Sequence, residues 1–131
     1  MTVLIDTSAW IEFLRGTDSR VCAEVDRLLA RRIATTDPVV MEILAGARNE
    51  AHLGELRRLV GRATMESVIA ADYLAAAALY RRCRAHGTTV RKLIDCLIAA
   101  VAIRRDMPIL HADADFDGLA KHTPLRVHLV T

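Results

Sequence analysis

The sequence predicts one α/β domain, with helices packed on a short, largely parallel sheet. Two observations carry that prediction. Short β-branched, apolar runs are apolar at every position, as strands buried on both faces are. Between them lie longer segments whose apolar residues recur at helical spacing, and strands alternating with helices build parallel sheets. No internal repeat, low-complexity tract or Gly/Pro/Ser-rich linker divides the 131 residues, so residues 1–131 are expected to form a single domain around one core.

The elements follow in order. Thr2 to Ile5 is a strand ending at Asp6. Ser8 to Leu14 is a helix with Trp10, Ile11 and Leu14 on one face, stopped by Gly16. Asp18 is placed to cap a second helix reaching Arg31, whose stripe is Val21, Cys22, Val25, Leu28 and Leu29. Ile33 to Thr35 is a strand. Asp37-Pro38 starts a helix, with Asp as the cap and Pro in the first turn, running to about Ala47. His52 to Gly61 is helical through Leu53, Leu56, Leu59 and Val60, and Met65 to Val68 is a third strand. Ala70 to Ala85 is a long helix closed by Gly87, and Thr89 is placed to cap the helix Val90 to Arg104. Pro108 precedes the strand Ile109–Leu110, a short helix spans Phe116 to Lys121, and Arg126 to Val130 closes as a strand.

Composition excludes several classes. Hydrophobic content of 53% with 26% charge argues against disorder. Aromatics are 4%, so the core must come from Leu, Ile, Val and Ala. No apolar run approaches the ~20 residues of a bilayer span. The opening MTVLID lacks a secretion signal's basic and apolar segments, so the expected compartment is the cytoplasm. Cys22, Cys83 and Cys96 are odd in number and have no C-x-x-C spacing, which argues against disulfides or a zinc knuckle. The five histidines show no metal-site pairing. The net charge of +2 says little about partners; 16 of the 18 basic residues are arginine, the better phosphate ligand, which favours a nucleic-acid substrate only weakly.

Acids carry the chemical signal. Asp6 ends the first strand, and Asp113 and Asp115 follow the strand Ile109–Leu110 in the run HADADF. In open parallel sheets, ligands collect beyond the carboxyl ends of the strands. Asp95 falls on the border of its helix's apolar stripe, and Glu42 flanks Val39 and Ile43 in the same manner. Partly buried carboxylates with no evident matching cations repel one another, and a hard divalent cation resolves that repulsion; Mg²⁺ or Mn²⁺ suits carboxylate and water ligands. Singly, each acid has an ordinary alternative: Asp6 a helix cap, Glu42 and Asp95 surface acids near helix starts, Asp113 and Asp115 a plain turn.

Taken together, LIDTSAWIEFL, VVMEILAG around Glu42, VRKLIDCLIAA around Asp95 and LHADADFDGLA resemble the PIN-domain ribonucleases, specifically the VapC-type toxins of bacterial toxin–antitoxin pairs. The match runs from Leu4 to Ala120. D-T-S after a strand is weak alone, but the ordered set with E-x-x-x-G, I-D-x-x-I-A-A and D-x-D-F is specific.

The resemblance implies a PIN-like α/β/α sandwich and a Mg²⁺- or Mn²⁺-dependent endoribonuclease. It implies an acidic cluster of Asp6, Glu42, Asp95 and Asp113, with Asp115 as a further or water-mediated ligand. Asp6, Asp95 and Asp113 would hold the ion, and Glu42 would orient or deprotonate water. Thr7 or Ser8 would contact metal-bound water or substrate. Arg91, one helical turn before Asp95, would steady a substrate phosphate or simply pair with Asp95. His111 stands where the family more often has Thr or Ser, and is expected as a core or supporting residue. The resemblance further implies structured RNA, with tRNA preferred, as substrate, a homodimer and a small antitoxin; the apolar stripes of the helices Asp18–Arg31 and Pro38–Ala47 either form a groove for an antitoxin helix or only face the sheet. Two rivals stand beside it. One is a Mg²⁺-dependent phosphatase of the haloacid-dehalogenase type, which needs a second Asp where Ser8 stands. The other is a PIN-like scaffold that binds RNA without cutting it.

Overall fold

The computed structural model describes residues 1–130. Four parallel strands, β1 (Val3–Ile5), β2 (Ile33–Thr36), β3 (Thr64–Glu66) and β4 (Ile109–Leu110), lie in the order β3-β2-β1-β4. Seven helices connect them: α1 (Thr7–Arg15), α2 (Arg20–Leu28), α3 (Asp37–Ala45), α4 (Glu50–Val60), α5 (Ala70–Ala85), α6 (Leu93–Arg104) and α7 (Ala114–His122). Every residue of β1, β2 and β4 is buried. Successive strand residues point to opposite faces, so both faces of the central sheet are covered.

Strand order sets the position of the crevice. The chain steps outward from β1 to β2 to β3, then α5 and α6 carry it back to β4 on the other side of β1. The order reverses between β1 and β4, where open parallel sheets leave a gap beyond their strand ends. Backbone bonds from Leu4 N to Pro108 O and from Asp6 N to Leu110 O, both 3.0 Å, fix that register.

Several boundaries differ from the sequence reading, three of them where a side chain accepts from a backbone N–H. Ser19, not Asp18, caps α2 by accepting from Cys22 N, while Asp18 takes a positive φ of 61°. Thr36 holds the cap position of α3, and the Asp37 carboxylate instead accepts from Val68 N at 2.9 Å, joining α3 to the segment after β3. The helix expected from Val90 begins at Leu93, because Arg91 N and Lys92 N both donate to the Asp115 carboxylate. The closing strand Arg126–Val130 shrinks to one parallel bridge, Val127 to Ile109. Gly16 and Gly87 end α1 and α5 with φ of 60° and 81°, the left-handed region that favours glycine.

Candidate functional site

Asp6 leaves β1 as the cap of α1. Its Oδ2 accepts from Ser8 N at 2.9 Å and from the Ser8 hydroxyl at 2.6 Å. Helix capping therefore uses one oxygen of the carboxylate. The other, Oδ1, is buried with no partner among the described residues. Burial raises the Asp6 pKa above its ordinary value against the lowering effect of the Ser8 bonds, and the nearby Glu42 charge adds to the rise.

On the far side of the crevice, β4 delivers Asp113 and Asp115. Asp113 caps α7 by accepting from Asp115 N at 2.9 Å. Asp95, in the first turn of α6, projects into the same place, and carboxylate oxygens of Asp95, Asp113 and Asp115 lie within 4.8 Å of one another. Asp95 is 2% exposed, and its Oδ2 is also orphaned. Burial first, then contact with the Asp115 carboxylate and the charge of Asp6, push its pKa up to about 8, against the opposing pull of Lys92.

Two cations correct the expectation of an unmatched acid set. Lys92 Nζ lies 2.7 Å from Asp113 and 3.8 Å from Asp95, while the Arg91 guanidinium reaches Asp113 at 3.1 Å and Asp115 at 3.3 Å. Burial tends to raise Asp113 and Asp115, but these cations and the N–H groups donated to both carboxylates outweigh it and leave both pKa values low. Arg91 precedes α6 and does not pair with Asp95; the i,i+3 partner of Asp95 is Lys92. Sequence reasoning passed over Lys92, although its spacing three residues before Asp95 was visible.

The remaining predicted residues brace the cluster. Thr7 donates its hydroxyl to Glu42 at 2.7 Å, tying α3 to α1. Glu42 is thereby placed beside Asp6 and outside the Asp95–Asp113–Asp115 triad. Ser8 Oγ, while donating to Asp6, accepts from Ala112 N at 2.9 Å and so clamps the β1 end to the loop carrying Asp113. His111 accepts from Asp113 N through Nδ1, its Nε2 lies 3.3 Å from Asp117, and its ring packs against Phe116.

The donor set fits a divalent cation. Two buried carboxylate oxygens lack any hydrogen bond, three acids already converge, and every contributor is a hard oxygen ligand.

An acidic pocket at the strand ends of a β3-β2-β1-β4 parallel sheet defines a class, and comparison with known proteins gives the same class. The PIN domain family pattern matches residues 3–122. The chain belongs to the PIN-domain family, in its VapC group. It is 49% identical over 128 residues to Ribonuclease VapC11 of Mycobacterium tuberculosis and to VapC ribonuclease Mb1587 of Mycobacterium bovis, spanning 95% of this chain and 96% of each relative. Among solved structures, its fold is similar to VapBC2 from Rickettsia felis bound to a promoter DNA fragment (TM-score 0.76, 17% identity, 98% of each chain). DNA-bound VapBC from Salmonella typhimurium is similar to the same degree (TM-score 0.76, 15% identity, 98% of this chain and 97% of that one).

Proposed function

We propose that this chain is the ribonuclease toxin of a toxin–antitoxin pair, cutting phosphodiester bonds in structured RNA with the help of Mg²⁺ or Mn²⁺. The observation that carries the proposal is the convergence of Asp95, Asp113 and Asp115, with an orphaned, buried oxygen on Asp95 and another on Asp6, whose charge Asp95 feels. The 49% identity to VapC ribonucleases over nearly the whole chain supports it. A non-cutting scaffold would have no use for that set of acids, and Ser8, committed to Asp6 and Ala112, cannot serve as the second Asp of a phosphatase.

Asp6, Asp95 and Asp113 would hold the cation, with Asp115 contributing directly or through water. When bound, the cation polarises the scissile phosphate and acidifies water. Glu42 stands beside Asp6 with one oxygen engaged by Thr7 and the other free to accept a proton from attacking water. Thr7 and Ser8 hold Glu42 and Asp6 in place through their hydroxyls. Arg91 is 68% exposed along its side chain, and Lys92 is 52% exposed. Both can turn from the acids to a substrate phosphate once the carboxylates have another positive partner. In-line attack would break the bond to the 3′ oxygen, leaving a 5′-phosphate and a 3′-hydroxyl.

Two surface features support the proposed partners. A groove of about 480 Å³ runs between α1, α3 and α4, lined by Ile11, Leu14, Ile43 and Leu56, with Glu42 beside them. It suits an antitoxin helix. This groove is lined by α1, α3 and α4, while α2 turns Val25 and Leu28 into the core. Tyr73, Leu74 and Leu93 form an exposed apolar face on α5 and α6, where we place the contact with a second copy. No helix among the described residues is long and apolar enough to cross a membrane. We place the protein in the cytoplasm, with tRNA as its RNA.

The test is cleavage by the purified chain. RNA should be cut with Mg²⁺ or Mn²⁺, spared with EDTA, and cut again when the ion is restored. Sequencing of RNA ends after brief expression in cells should show one dominant class of cut, at tRNA. Cleavage indifferent to chelator would end the metal proposal, and uniform RNA ends would end the toxin reading.

A further inference from the structure

Away from the acids, the C-termini of α5 and α7 converge on an open hollow of about 640 Å³, lined by Arg82, His86, Lys121, His122, Thr123 and Pro124. Its lining contains two permanent cations and two imidazoles but no carboxylate. Arg82 and Lys121 make no ion pair with any acid among the described residues. Most arginines of the chain are likewise unpaired, so what marks these two is that they share one hollow with two stacked imidazoles.

The hollow is built, not a loose collection of surface side chains. The His86 and His122 rings stack with centroids 5.0 Å apart and planes at 24°. Thr88 fixes His122 through a 3.0 Å bond to Nε2, and His86 Nδ1 is anchored on Arg82 O at 2.8 Å. Thr88 comes that close because α7 has glycine at 118; a Cβ there would lie 2.9 Å from Thr88 Cγ2. Arg82 Nε donates to His122 O, which aligns the guanidinium across the hollow. Helix C-termini attract cations by their dipoles, but that effect is weak and confined to the last turn, and does not call for four basic groups in contact. Burial, with the adjacent His86, Lys121 and Arg82, holds the His122 imidazole below its ordinary pKa, as crowding of one sign of charge does.

Position gives this hollow a substrate. α7 runs from Asp113, in the acidic cluster, to His122, nine residues on, a span of about 14 Å at the helical rise. A strand of RNA lying along α7 would therefore bring a backbone phosphate to each of its ends. The loop from Thr88 to Arg91 makes a second link, since Thr88 holds His122 while Arg91 touches Asp113 and Asp115.

We propose that the hollow between α5 and α7 is a second phosphate-binding subsite, which grips the RNA backbone one length of α7 away from the bond that is cut. It rests on the ribonuclease reading above. Arg82 and Lys121 supply the charge, and the stacked imidazoles supply a flat face for a base or ribose.

The experiment uses the full chain carrying Asp95→Asn to prevent cleavage and a fluorescein-labelled 12-nucleotide single-stranded RNA. Lys121→Gln should weaken binding about threefold, and Arg82→Gln with Lys121→Gln about tenfold. Each lost phosphate contact should reduce the slope of log K against log salt by about 0.7. The imidazole NMR signals of His86 and His122 should shift on RNA addition, a response that a purely structural role would not give. Affinity within twofold of the parent for both variants, with unmoved imidazole signals, overturns the subsite. Cleavage by the chain without any substitution separates the two proposals. If RNA is cut but the variants bind equally well, only the subsite fails; if RNA is neither cut nor bound, both fail.

Discussion

Asp95→Asn should make the metal-free protein more stable while abolishing cleavage, because the carboxylate is held where ionisation is costly. The Asp95 side chain is 3% exposed, its Oδ2 is orphaned, and its pKa is pushed up to about 8 from 3.8. An acid with a folded pKa above its unfolded value loses its proton first in the unfolded chain. Its contribution therefore disfavours folding increasingly as pH rises from about 4 through about 8. At pH 7 the gap is about three pK units, and at about 1.4 kcal/mol per unit the ceiling is about 4 kcal/mol. Relaxation of the site and water entry should leave about 1–2 kcal/mol of it. Asparagine keeps the shape and can donate to Asp115 as the protonated carboxyl does. Urea unfolding in EDTA at pH 5, 6, 7 and 8 should find the variant more stable by that amount at pH 7 and 8, and nearly equal to the native chain at pH 5. With Mg²⁺ at a hundredfold over its Kd, the native chain should recover about 2.7 kcal/mol and the variant much less. A variant less stable than the native chain at pH 8 in EDTA, or one with the same pH dependence, would refute the reasoning.

Ser8→Ala removes the clamp between Asp6 and Ala112, and should cost about 1–3 kcal/mol in urea unfolding and lower cleavage by misplacing Asp6; unchanged kcat would show that the clamp does not position it. Arg91→Ala should raise KM for RNA if the guanidinium turns to substrate, and an unaltered KM would confine it to its bonds with Asp113 and Asp115. Asp72→Ala breaks a bidentate pair with Arg104, made at 2.9 and 3.0 Å, and a 2.9 Å bond from Ile69 N. Because the Arg104 side chain is 30% exposed, we expect a loss of about 2–3 kcal/mol, below the full cost of a buried broken pair. Burial works to raise the Asp72 pKa, but Arg104 and the Ile69 N–H leave it lowered. Its stabilisation is therefore present above about pH 4 and fades as pH falls further, and acid titration of unfolding in the variant should lack that component.

Periodicity and β-branched runs were enough to place most elements, because a strand buried on both faces and a one-sided helix leave patterns visible within a few residues. Asp6 and Asp113 were legible for a related reason: each follows a strand whose end a parallel sheet must bring to one edge. What the sequence did not disclose was long-range hydrogen bonding. Asp115 draws in the backbone of Arg91 and Lys92 from more than twenty residues away, which delays the start of α6 and corrects the expected boundary at Val90. Asp37 caps nothing locally, because Val68 N reaches it from beyond β3. Lys92 as the neutralising partner of Asp113, and the cationic hollow shared by Arg82 and Lys121, likewise depend on which helices end side by side. By itself the sequence determined which segments fold and which acids fall at strand ends, since both follow from local pattern. Only the tertiary structure decided which charges meet, because a carboxylate's partner is set by the path of the chain through space, to which local spacing is blind.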